Sequence, residues 1–376
     1  MRLAFLTNNR FPPREGIGRH ILEVASRLRA RGHEVTVLAR GNAFAPWAET
    51  VAAGLRVRHF PHYPLRPFHH ALAQHELARW LREGADGADL VHVHLPLLPP
   101  LLTDRPLVVT VHSPMLQDTA AITEPGLWPA LIKANARLFS RRYEQWYLDH
   151  AASIVAVSQA VADELATGYR LRGRPIVIPN GVDTGFFGFA PSEGRTPTIL
   201  YVGRLGYRKG LFRLLEAFAR LPRRLGLELA LVGEGPLEQA LRRRAAALGI
   251  APLVRFAGFL DRAGVRRELQ AAACLVSPAD YESGPLTLLE AMACGTPVVT
   301  TPTGLAAEMG QGAPAVLSAA EPEALAEAIA GTLAEPEAAA ARARAARALV
   351  VARYGWEQVV DRLEAVYGVR RAERAA

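Results

Sequence analysis

The sequence predicts an α/β protein of two doubly wound domains, each a parallel β-sheet covered by helices on both faces. The chain has 376 residues, half of them apolar, which is enough for about two domains with sizeable cores. Short apolar runs alternate with amphipathic segments, a pattern typical of parallel strands joined by helices. The alternation restarts after residues 180–197, a stretch rich in Gly, Pro and polar residues that predicts a linker.

The first series of elements fills residues 1–180. Apolar runs predict strands at residues 2–7, 34–39, 55–60, 90–94, 107–111, 153–157 and 176–178. Apolar residues at helical spacing predict helices at 17–31, 71–83, 127–150 and 159–169. Gly32 follows the first of these helices and is a typical helix stop. We therefore expect an N-terminal domain over residues 1–180.

The second series fills residues 181–354 and repeats the same alternation. Strands are predicted at residues 198–202, 227–232, 254–257, 274–276 and 298–299. Helices are predicted at residues 211–221, 237–248, 262–272 and 286–293. From about residue 321 the pattern predicts helices without a strand. The Ala/Arg-rich stretch 337–351 reads as a solvent-exposed helix, and Pro336 suits its start.

Charge and composition narrow the class of protein. The net charge is +8, but no basic run carries interleaved aromatic residues, so we expect no nucleic-acid partner. No stretch approaches the ~20 apolar residues of a membrane helix, and the first apolar run is too short for a signal peptide. Cys274 and Cys294 are too few for a disulfide framework or a zinc site. We expect a cytoplasmic protein, with weak attraction to an anionic membrane or substrate left open.

The loops that follow predicted strands are where ligands bind in open parallel sheets. The loop after the first strand carries Gly16 and Gly18 just before a helix. Backbone N–H groups at such a helix start favour an anion, so this loop is a candidate to close on a phosphate. An ordinary strand-to-helix turn is the alternative. The segment is not a G-x-G-x-x-G fingerprint, which argues against a dehydrogenase.

The loop after strand 198–202 reads Gly-Arg-Leu-Gly-Tyr-Arg-Lys-Gly, residues 203–210, and precedes a helix. Its cations and glycines predict a diphosphate site. Lys209 is one of only two lysines among 44 basic residues, which indicates that a compact ammonium is wanted there. Asp-x-Asp, which would suit a metal-bound diphosphate, occurs nowhere in the chain. We expect Arg204 and Lys209 to stabilise a leaving diphosphate without a metal.

The densest group of candidate residues lies at 277–301. Glu282 falls in a loop after a predicted strand, and Glu290 lies eight residues on, within the apolar sequence Leu-Leu-Glu-Ala-Met-Ala of a helix. With Pro285 at the first helical position, the N–H groups of Leu286 and Thr287 would face a phosphate. A ribose diol would partner the carboxylate of Glu290.

Together these segments resemble the GT-B glycosyltransferases, in particular the retaining enzymes of the large family 4 (group 1), over nearly the whole chain. The resemblance rests on GIGRH from Gly16, AVSQAVADEL from Ala156, IPNGVD from Ile178, LYVGRLGYRKG from Leu200, LVGEGP from Leu231, and the Glu282-x7-Glu290 segment. It implies two Rossmann-like domains facing across a cleft. The first domain would bind the acceptor, the second the nucleotide sugar, and a last helix at about 355–370 would cross back to the first domain.

The resemblance also implies roles for individual residues. Arg204 and Lys209 match the pair that holds the donor diphosphate, and Glu290 matches the carboxylate on the nucleotide ribose. Glu282 matches the acidic residue beside the donor sugar, near the reacting centre.

Four further positions match the family pattern. Gly16 matches the closing loop, while Gly233 and the region 254–259, which ends at Phe259, match the wall around the nucleotide base. His112 resembles the first-domain histidine near O6 of the donor sugar and the acceptor.

The implied reaction is metal-independent transfer of a sugar, a hexose by resemblance, from a UDP-, GDP- or ADP-sugar to a hydroxyl, with the anomeric configuration retained and no cofactor. Two alternatives stay open: a sugar-nucleotide epimerase of the same architecture, and a sugar-nucleotide-binding protein without turnover. A metal at His92 and His94, which share one strand face, lacks a sequence motif for a third ligand. We expect no metal site.

The acceptor is expected on the first domain, whose segments 60–70 and 115–128 read as loops. It can be a saccharide, a lipid-linked molecule or a small molecule. Apolar residues in the second loop and the mild positive charge favour contact with the inner face of a membrane.

Overall fold

The computed structural model describes residues 1–63, 69–83, 87–122, 126–191, 194–309 and 315–375. The chain divides into two compact units. The first contains Met1–Ala120, Gly126–Asn180 and the C-terminal residues from Trp356, and the second contains Gly181–Gly355 and the short segment that starts at Ala121. Both units are α/β, each with a mainly parallel sheet. The predicted fold class, two doubly wound parallel-sheet domains, is confirmed.

The first unit is built on an eight-stranded sheet. Its strands are β1 (Arg2–Thr7), β2 (Glu34–Ala43), β3 (Ala48–Ala52), β4 (Leu55–His62), β5 (Leu90–Leu95), β6 (Leu107–Val111), β7 (Ser153–Ala156) and β8 (Ile176–Val177). They lie in the order β3-β4-β2-β1-β5-β6-β7-β8, parallel except for the β3–β4 pair. β1, β5 and β6 are central and buried, as their continuous apolar sequences predict.

Helices α1 (Gly16–Ala30), α2 (His69–Arg82), α3 (Met115–Ala120), α4 (Leu127–Asn135), α5 (Arg141–His150) and α6 (Gln159–Gly168) connect these strands. The stretch 127–150, predicted as one helix, contains a π-helical turn at Ala136–Ser140 between α4 and α5. The prediction of a loop at 115–128 was wrong in part, because helix α3 spans Met115–Ala120. Of the loop predicted at 60–70, residues 64–68 lie outside the described residues.

The second unit is built on six parallel strands. They are β9 (Thr196–Val202), β10 (Glu228–Val232), β11 (Val254–Gly258), β12 (Ala272–Ser277), β13 (Val298–Thr300) and β14 (Val316–Leu317), in the order β11-β10-β9-β12-β13-β14. The helices are α7 (Leu211–Arg220), α8 (Glu238–Ala247), α9 (Arg262–Ala271), α10 (Leu286–Cys294), α11 (Gly304–Glu308), α12 (Pro322–Ala334) and α13 (Pro336–Arg353).

The prediction of a solvent-exposed helix for the Ala/Arg-rich stretch was wrong for one face of α13. Ala339, Ala343, Ala346 and Val350, spaced three or four residues apart, are buried on its inner face. Small side chains let α13 approach α10 closely. The Arg347 guanidinium then donates to the carbonyls of Ala293 (2.8 Å) and Phe187 (2.8 Å).

The last helix, α14 (Trp356–Ala375), packs on α1 within the first unit, as predicted. Arg31 on the α1 side pairs with Glu357 (2.6 Å), Asp361 (2.6 Å) and Glu364 (2.7 Å). Tyr367, fully buried, places its hydroxyl 2.7 Å from Nδ1 of His92 on β5. Of the helices in the described ranges, none is both long and apolar enough to cross a membrane.

Candidate active site

The loops after β9 and β12 carry the predicted donor residues of the second unit. β9 and β12 are hydrogen-bonded neighbours in parallel, so their carboxyl ends lie at the same edge of the sheet. Residues 203–210 follow β9 and lead into α7, while residues 278–285 follow β12 and lead into α10. The topology therefore brings the two loops together, although about 70 residues separate them in sequence.

Two ion pairs join these loops. The Lys209 ammonium donates to the Glu282 carboxylate, and both side chains are only partly exposed, at 16% and 21%. Arg213 on α7 pairs in the same way with Asp280. The backbone N–H of Asp280 also donates to the carbonyl of Arg208 (2.8 Å). The structure thus unites Lys209 with Glu282 in one cation–carboxylate pair at the end of the sheet.

At two positions on this edge of the sheet, a neighbouring backbone carbonyl lies so close that only glycine fits. A Cβ on Gly210, which has φ +65°, would lie 1.9 Å from the carbonyl oxygen of Pro278. A Cβ on Gly233, which has φ +130°, would lie 2.0 Å from the carbonyl oxygen of Gly203. Both contacts are impossible for any other residue without backbone movement. Gly233 therefore lies against the loop of Arg204, and the hydroxyl of Tyr201 donates to the Arg204 carbonyl (3.0 Å).

Helix α10 presents Leu286 and Thr287 as its first two residues, so their N–H groups belong to the unbonded first turn. Pro285 is the residue before the helix, not its first residue as predicted, with an extended ψ of 123°. Glu290 is half-buried among fully buried apolar neighbours of the same helix. Phe259 directly follows β11, and its side chain is 44% exposed.

The remaining predicted residues lie in the first unit. Gly16 is the first residue of α1 and exposed. Gly18 is buried, and a Cβ there would meet the Pro13 side chain at 2.6 Å. His112 directly follows β6 and is 5% exposed.

His112 belongs to a buried cluster of imidazoles. His20 on α1, His94 on β5 and His112 have ring centroids 4.8–5.5 Å apart. His94 Nδ1 and His112 Nε2 are 3.2 Å apart, which is a hydrogen-bond distance, and His20 Nδ1 bonds the Asn180 side-chain oxygen at 2.8 Å. The ring of His92 lies against that of His94, with centroids 4.3 Å apart and the planes tilted by 31°. It also bonds Thr110 and Tyr367, each at 2.7 Å.

Burial keeps all four imidazoles neutral. Loss of solvation lowers the pKa of His20 to about 4, against a smaller raising effect of the Asn180 hydrogen bond. It lowers the pKa of His92 to about 3. The pKa values of His94 and His112 also fall well below the usual range, because both are buried and a charge on one would repel its neighbours.

Three of these rings are also able to hold a metal. His20, His94 and His112 each offer one nitrogen, and these nitrogens lie within 4.8 Å of one another. Neutral imidazoles are the form that binds a divalent transition metal. From the sequence, His92 and His94 were considered as a metal pair that lacked a third ligand. His92 instead bonds Thr110 and Tyr367, and the fold supplies His20 and His112 from other elements. The signal for His20 was its place in the GIGRH segment.

Each of the two α/β units carries chemically reactive side chains at the carboxyl ends of its parallel strands, ion pairs in the second unit and buried histidines in the first. Ligands bind at such strand ends in open parallel sheets, so the fold and these groups are those of a two-domain α/β enzyme. The family follows from the sequence. The profile of Glycosyltransferase Family 4 matches residues 14–186, and that of Glycosyl transferases group 1 matches residues 187–349. The chain belongs to this glycosyltransferase family, and it is a transferase enzyme of the GT-B fold.

Characterised relatives cover the chain almost end to end. A glycogen synthase of Mycobacterium tuberculosis is 31% identical over 96% of this chain and 92% of its own length. A phosphatidyl-myo-inositol mannosyltransferase of Mycobacterium leprae is 28% identical over 98% of this chain and 96% of its own length.

Solved structures agree on the fold. A sucrose-phosphate synthase of Thermosynechococcus elongatus matches with a TM-score of 0.82 and 21% identity over all of both chains. The Anabaena protein HepE in complex with UDP-glucose matches with a TM-score of 0.75 and 21% identity, over 98% of this chain and 100% of that chain.

Proposed function

We propose that this glycosyltransferase transfers a hexose from a nucleoside-diphosphate sugar to an acceptor hydroxyl, with retention of anomeric configuration and without a metal. One observation carries the proposal: Lys209 and Glu282 form an ion pair where the loops after β9 and β12 meet. The named activities of the two relatives, glycogen synthase and mannosyltransferase, support a hexosyl group. The UDP-glucose complex of HepE supports the donor class.

In the proposed reaction, the bond between the anomeric carbon and the diphosphate breaks and negative charge builds on the leaving phosphate. The Lys209 ammonium, the Arg204 guanidinium and the N–H groups at the start of α10 stabilise that charge. The acceptor oxygen bonds to the anomeric carbon on the face that the diphosphate leaves, and its proton passes to the leaving phosphate.

Glu282 holds the Lys209 ammonium through their ion pair. We assign Glu282 to the side of the donor sugar. Glu290 accepts hydrogen bonds from the nucleotide ribose, and Gly233 and Phe259 lie against the base. We assign donor binding to the second unit. In the first unit, we assign Gly16 and Gly18 at the start of α1 to the donor phosphate and His112 to the reaction at the donor sugar. The acceptor is assigned to the same unit.

The direct test is a thermal-shift screen of the full chain with UDP, GDP, ADP and their sugars, each with and without EDTA. A nucleotide at about 100 times its Kd stabilises a protein by about 2.7 kcal/mol. We expect a shift with one nucleotide class that EDTA leaves unchanged. A shift that EDTA abolishes would refute metal independence, and no shift with any nucleotide would refute the donor site.

Measuring the products formed from the donor distinguishes a transferase from the two alternatives, an epimerase and a binding protein without turnover. With the donor that gives the shift and a mixture of acceptors, we expect nucleoside diphosphate to be released together with a glycosylated product. NMR of the new anomeric proton then tests retention. An epimerised sugar nucleotide without release would indicate an epimerase, and a bound donor that is never consumed would indicate a binding protein.

A further inference from the structure

The surface of α4 and the π-helical turn presents large apolar side chains to solvent. Leu127 is 74% exposed, Trp128 64%, Leu131 47%, Leu138 55% and Phe139 43%. These five residues are here named the 127–139 face. Scattered single apolar residues are ordinary on a protein surface, but five large ones on one short helical segment form a patch that marks an interaction site.

The opposite side of the same segment anchors it to the first unit. Pro129, Ala136 and Ser140 are buried, and on α5 the Tyr147 hydroxyl donates to the Pro99 carbonyl at 2.6 Å. Glu144, also buried, accepts from the N–H of Met115 at 3.0 Å. The 127–139 face therefore projects outward from a segment that is fixed in place.

Positive charge accompanies the apolar face. Residues 126–143 contain Lys133, Arg137, Arg141 and Arg142 and no Asp or Glu. Lys133, Arg137 and Arg141 recur every four residues, so they line one flank of the apolar face along the helix. Apolar side chains with a cationic flank complement a lipid surface that carries negative headgroups.

We propose that the 127–139 face docks the first unit on a bilayer of anionic lipids, with Trp128 and Leu131 in the headgroup region and the basic flank on the phosphates. Docking does not depend on the transfer reaction. It would present the enzyme to lipid-linked acceptors at the inner face of a membrane. Each basic residue near such a surface contributes about fivefold to binding, and the apolar residues contribute through burial.

Co-sedimentation of the full chain with vesicles tests the docking. We expect binding to vesicles of equimolar phosphatidylcholine and phosphatidylglycerol, and far weaker binding to phosphatidylcholine alone. Trp128→Ser with Leu131→Ser should reduce it by about tenfold or more. Arg137→Ala with Arg141→Ala should reduce it by about 25-fold. The matched control is Val51→Ser with Leu102→Ser, which removes two other exposed apolar side chains of the first unit, 75% and 73% exposed, and should bind like the wild type.

Thermal melts confirm that each variant is folded. The proposal fails if the wild type does not bind anionic vesicles, or if the face variants and the control bind equally. It also fails if light scattering shows that the face variants only convert a dimer to a monomer, which would assign the face to a second copy of the chain. A nucleotide-induced thermal shift that persists in the face variants separates failure of docking from failure of the donor site.

A second inference concerns the proton between His94 and His112. Nδ1 of His94 and Nε2 of His112 are 3.2 Å apart, so one of them carries the hydrogen. Nε2 of His94 is buried and has no hydrogen-bond partner among the described residues. If His112 were the donor, His94 would carry its own proton on that buried, unpaired Nε2. A buried N–H without a partner is rarer and costlier than an unpaired lone pair.

The geometry assigns the proton to Nδ1 of His94, which makes His94 a positioning residue that fixes the tautomer of His112. His112 then carries its hydrogen on Nδ1 and presents an N–H donor. In the proposed function, on which this role rests, that donor meets a hydroxyl of the donor sugar. His92 supports the arrangement, since its ring lies against His94 and is itself held by Thr110 and Tyr367.

Two amide substitutions of His94 separate its two ring nitrogens. The amide of His94→Asn reaches the place of Nδ1, and that of His94→Gln reaches the place of Nε2. Long-range ¹H–¹⁵N NMR of the full chain reads the tautomer of His112 directly, without any assay of activity. We expect Nδ1–H in the wild type and in His94→Asn, and a loss of that tautomer in His94→Gln. The rate of transfer should fall by about 10- to 100-fold in His94→Gln only.

Three outcomes would overturn this inference: Nε2–H on His112 in the wild type, equal behaviour of the two variants, or a stoichiometric divalent metal in the purified protein that His20→Asn removes. The last would assign the three imidazoles to a metal site. Because the NMR result does not require turnover, a wrong tautomer and a wrong reaction remain distinguishable.

Discussion

The donor loops of the second unit and the histidine cluster of the first unit occupy equivalent places, at the carboxyl ends of parallel strands, but differ in electrostatics. Lys209 and Glu282 are charged, paired and partly exposed. His20, His94 and His112 are neutral and buried. A site that must hold a diphosphate needs permanent charge, whereas a site that contacts sugar hydroxyls needs hydrogen-bonding groups with fixed proton positions. The same sheet architecture therefore supports both a charged site and a neutral, buried one.

The largest expected effect is on the rate of transfer, when the charged pair of the donor loops is broken. In the proposed function, Lys209→Ala removes one of the cations that stabilise the leaving diphosphate, and it leaves Glu282 without its ammonium partner. We expect kcat to fall by about 10²- to 10³-fold, measured as release of nucleoside diphosphate. Arg220→Ala, which breaks an exposed ion pair with Glu323 in the same unit, is the matched control and should keep its rate. Equal losses in both variants would show a general effect of charge removal.

The neutral, buried histidine cluster of the first unit predicts that the stability of the protein depends on pH. The pKa of His20 is about 4 in the folded state and about 6.5 when the chain unfolds, so the unfolded state binds the proton first. The contribution of His20 to the free energy of unfolding is therefore fully present above pH ~6.5. It is lost as the pH falls toward 4, by on the order of 3 kcal/mol for this one group.

The measurement is denaturant unfolding of wild type and His20→Asn at several pH values. Burial raises the pKa of Glu144 to about 7, which acts in the opposite direction, but this contribution cancels in the difference between the two proteins. We expect the stability advantage of the wild type to shrink below pH 6.5. A difference that stays constant down to pH 4 would contradict neutral burial of His20.

A smaller effect is expected at the helix that follows the donor loop. Glu290→Gln keeps the shape of the side chain but removes its charge, so the hydrogen bonds that we propose from the nucleotide ribose should weaken. We expect KM for the donor to rise by about tenfold, with kcat little changed, because the ribose is bound equally in the ground and transition states. Glu238→Gln on α8, a partly exposed carboxylate of the same unit that pairs with Arg242, is the control. A fall in kcat at constant KM would place Glu290 at the reacting centre instead.

The smallest predicted effect concerns the hydrogen bond between Tyr367 on the last helix and His92 beside the histidine cluster. Tyr367→Phe deletes the hydroxyl 2.7 Å from His92 and leaves a buried ring nitrogen without that partner. We expect a loss of about 1–2 kcal/mol in the free energy of unfolding, with the donor-induced thermal shift unchanged. Loss of the donor shift would show that this hydrogen bond is needed for donor binding and not only for stability.

Much of the fold was predictable because its strands are short, apolar and buried. β1, β6 and β9 follow from continuous apolar runs, and α1 follows from its apolar spacing. β3 was missed because all but the last of its residues are exposed. Such an edge strand carries no burial pattern and forms only through the hairpin turn at Ala53–Gly54, where both residues have positive φ. The buried face of α13 was missed because alanine gives little hydrophobic signal.

The sequence by itself determined the two doubly wound domains, the family, and the residue types of the donor loops. Hydrophobic periodicity and the glycine- and cation-rich segments are local signals, because each depends only on residues that are close together in the chain. Tertiary structure decided which distant residues meet. Lys209 reaches Glu282 only because β9 and β12 are neighbours in the sheet. His20, His94 and His112 meet because α1, β5 and β6 converge, and an apolar face on α4 stays outside because its other side is already packed. These outcomes depend on sheet order and on competition for burial, which no local pattern records.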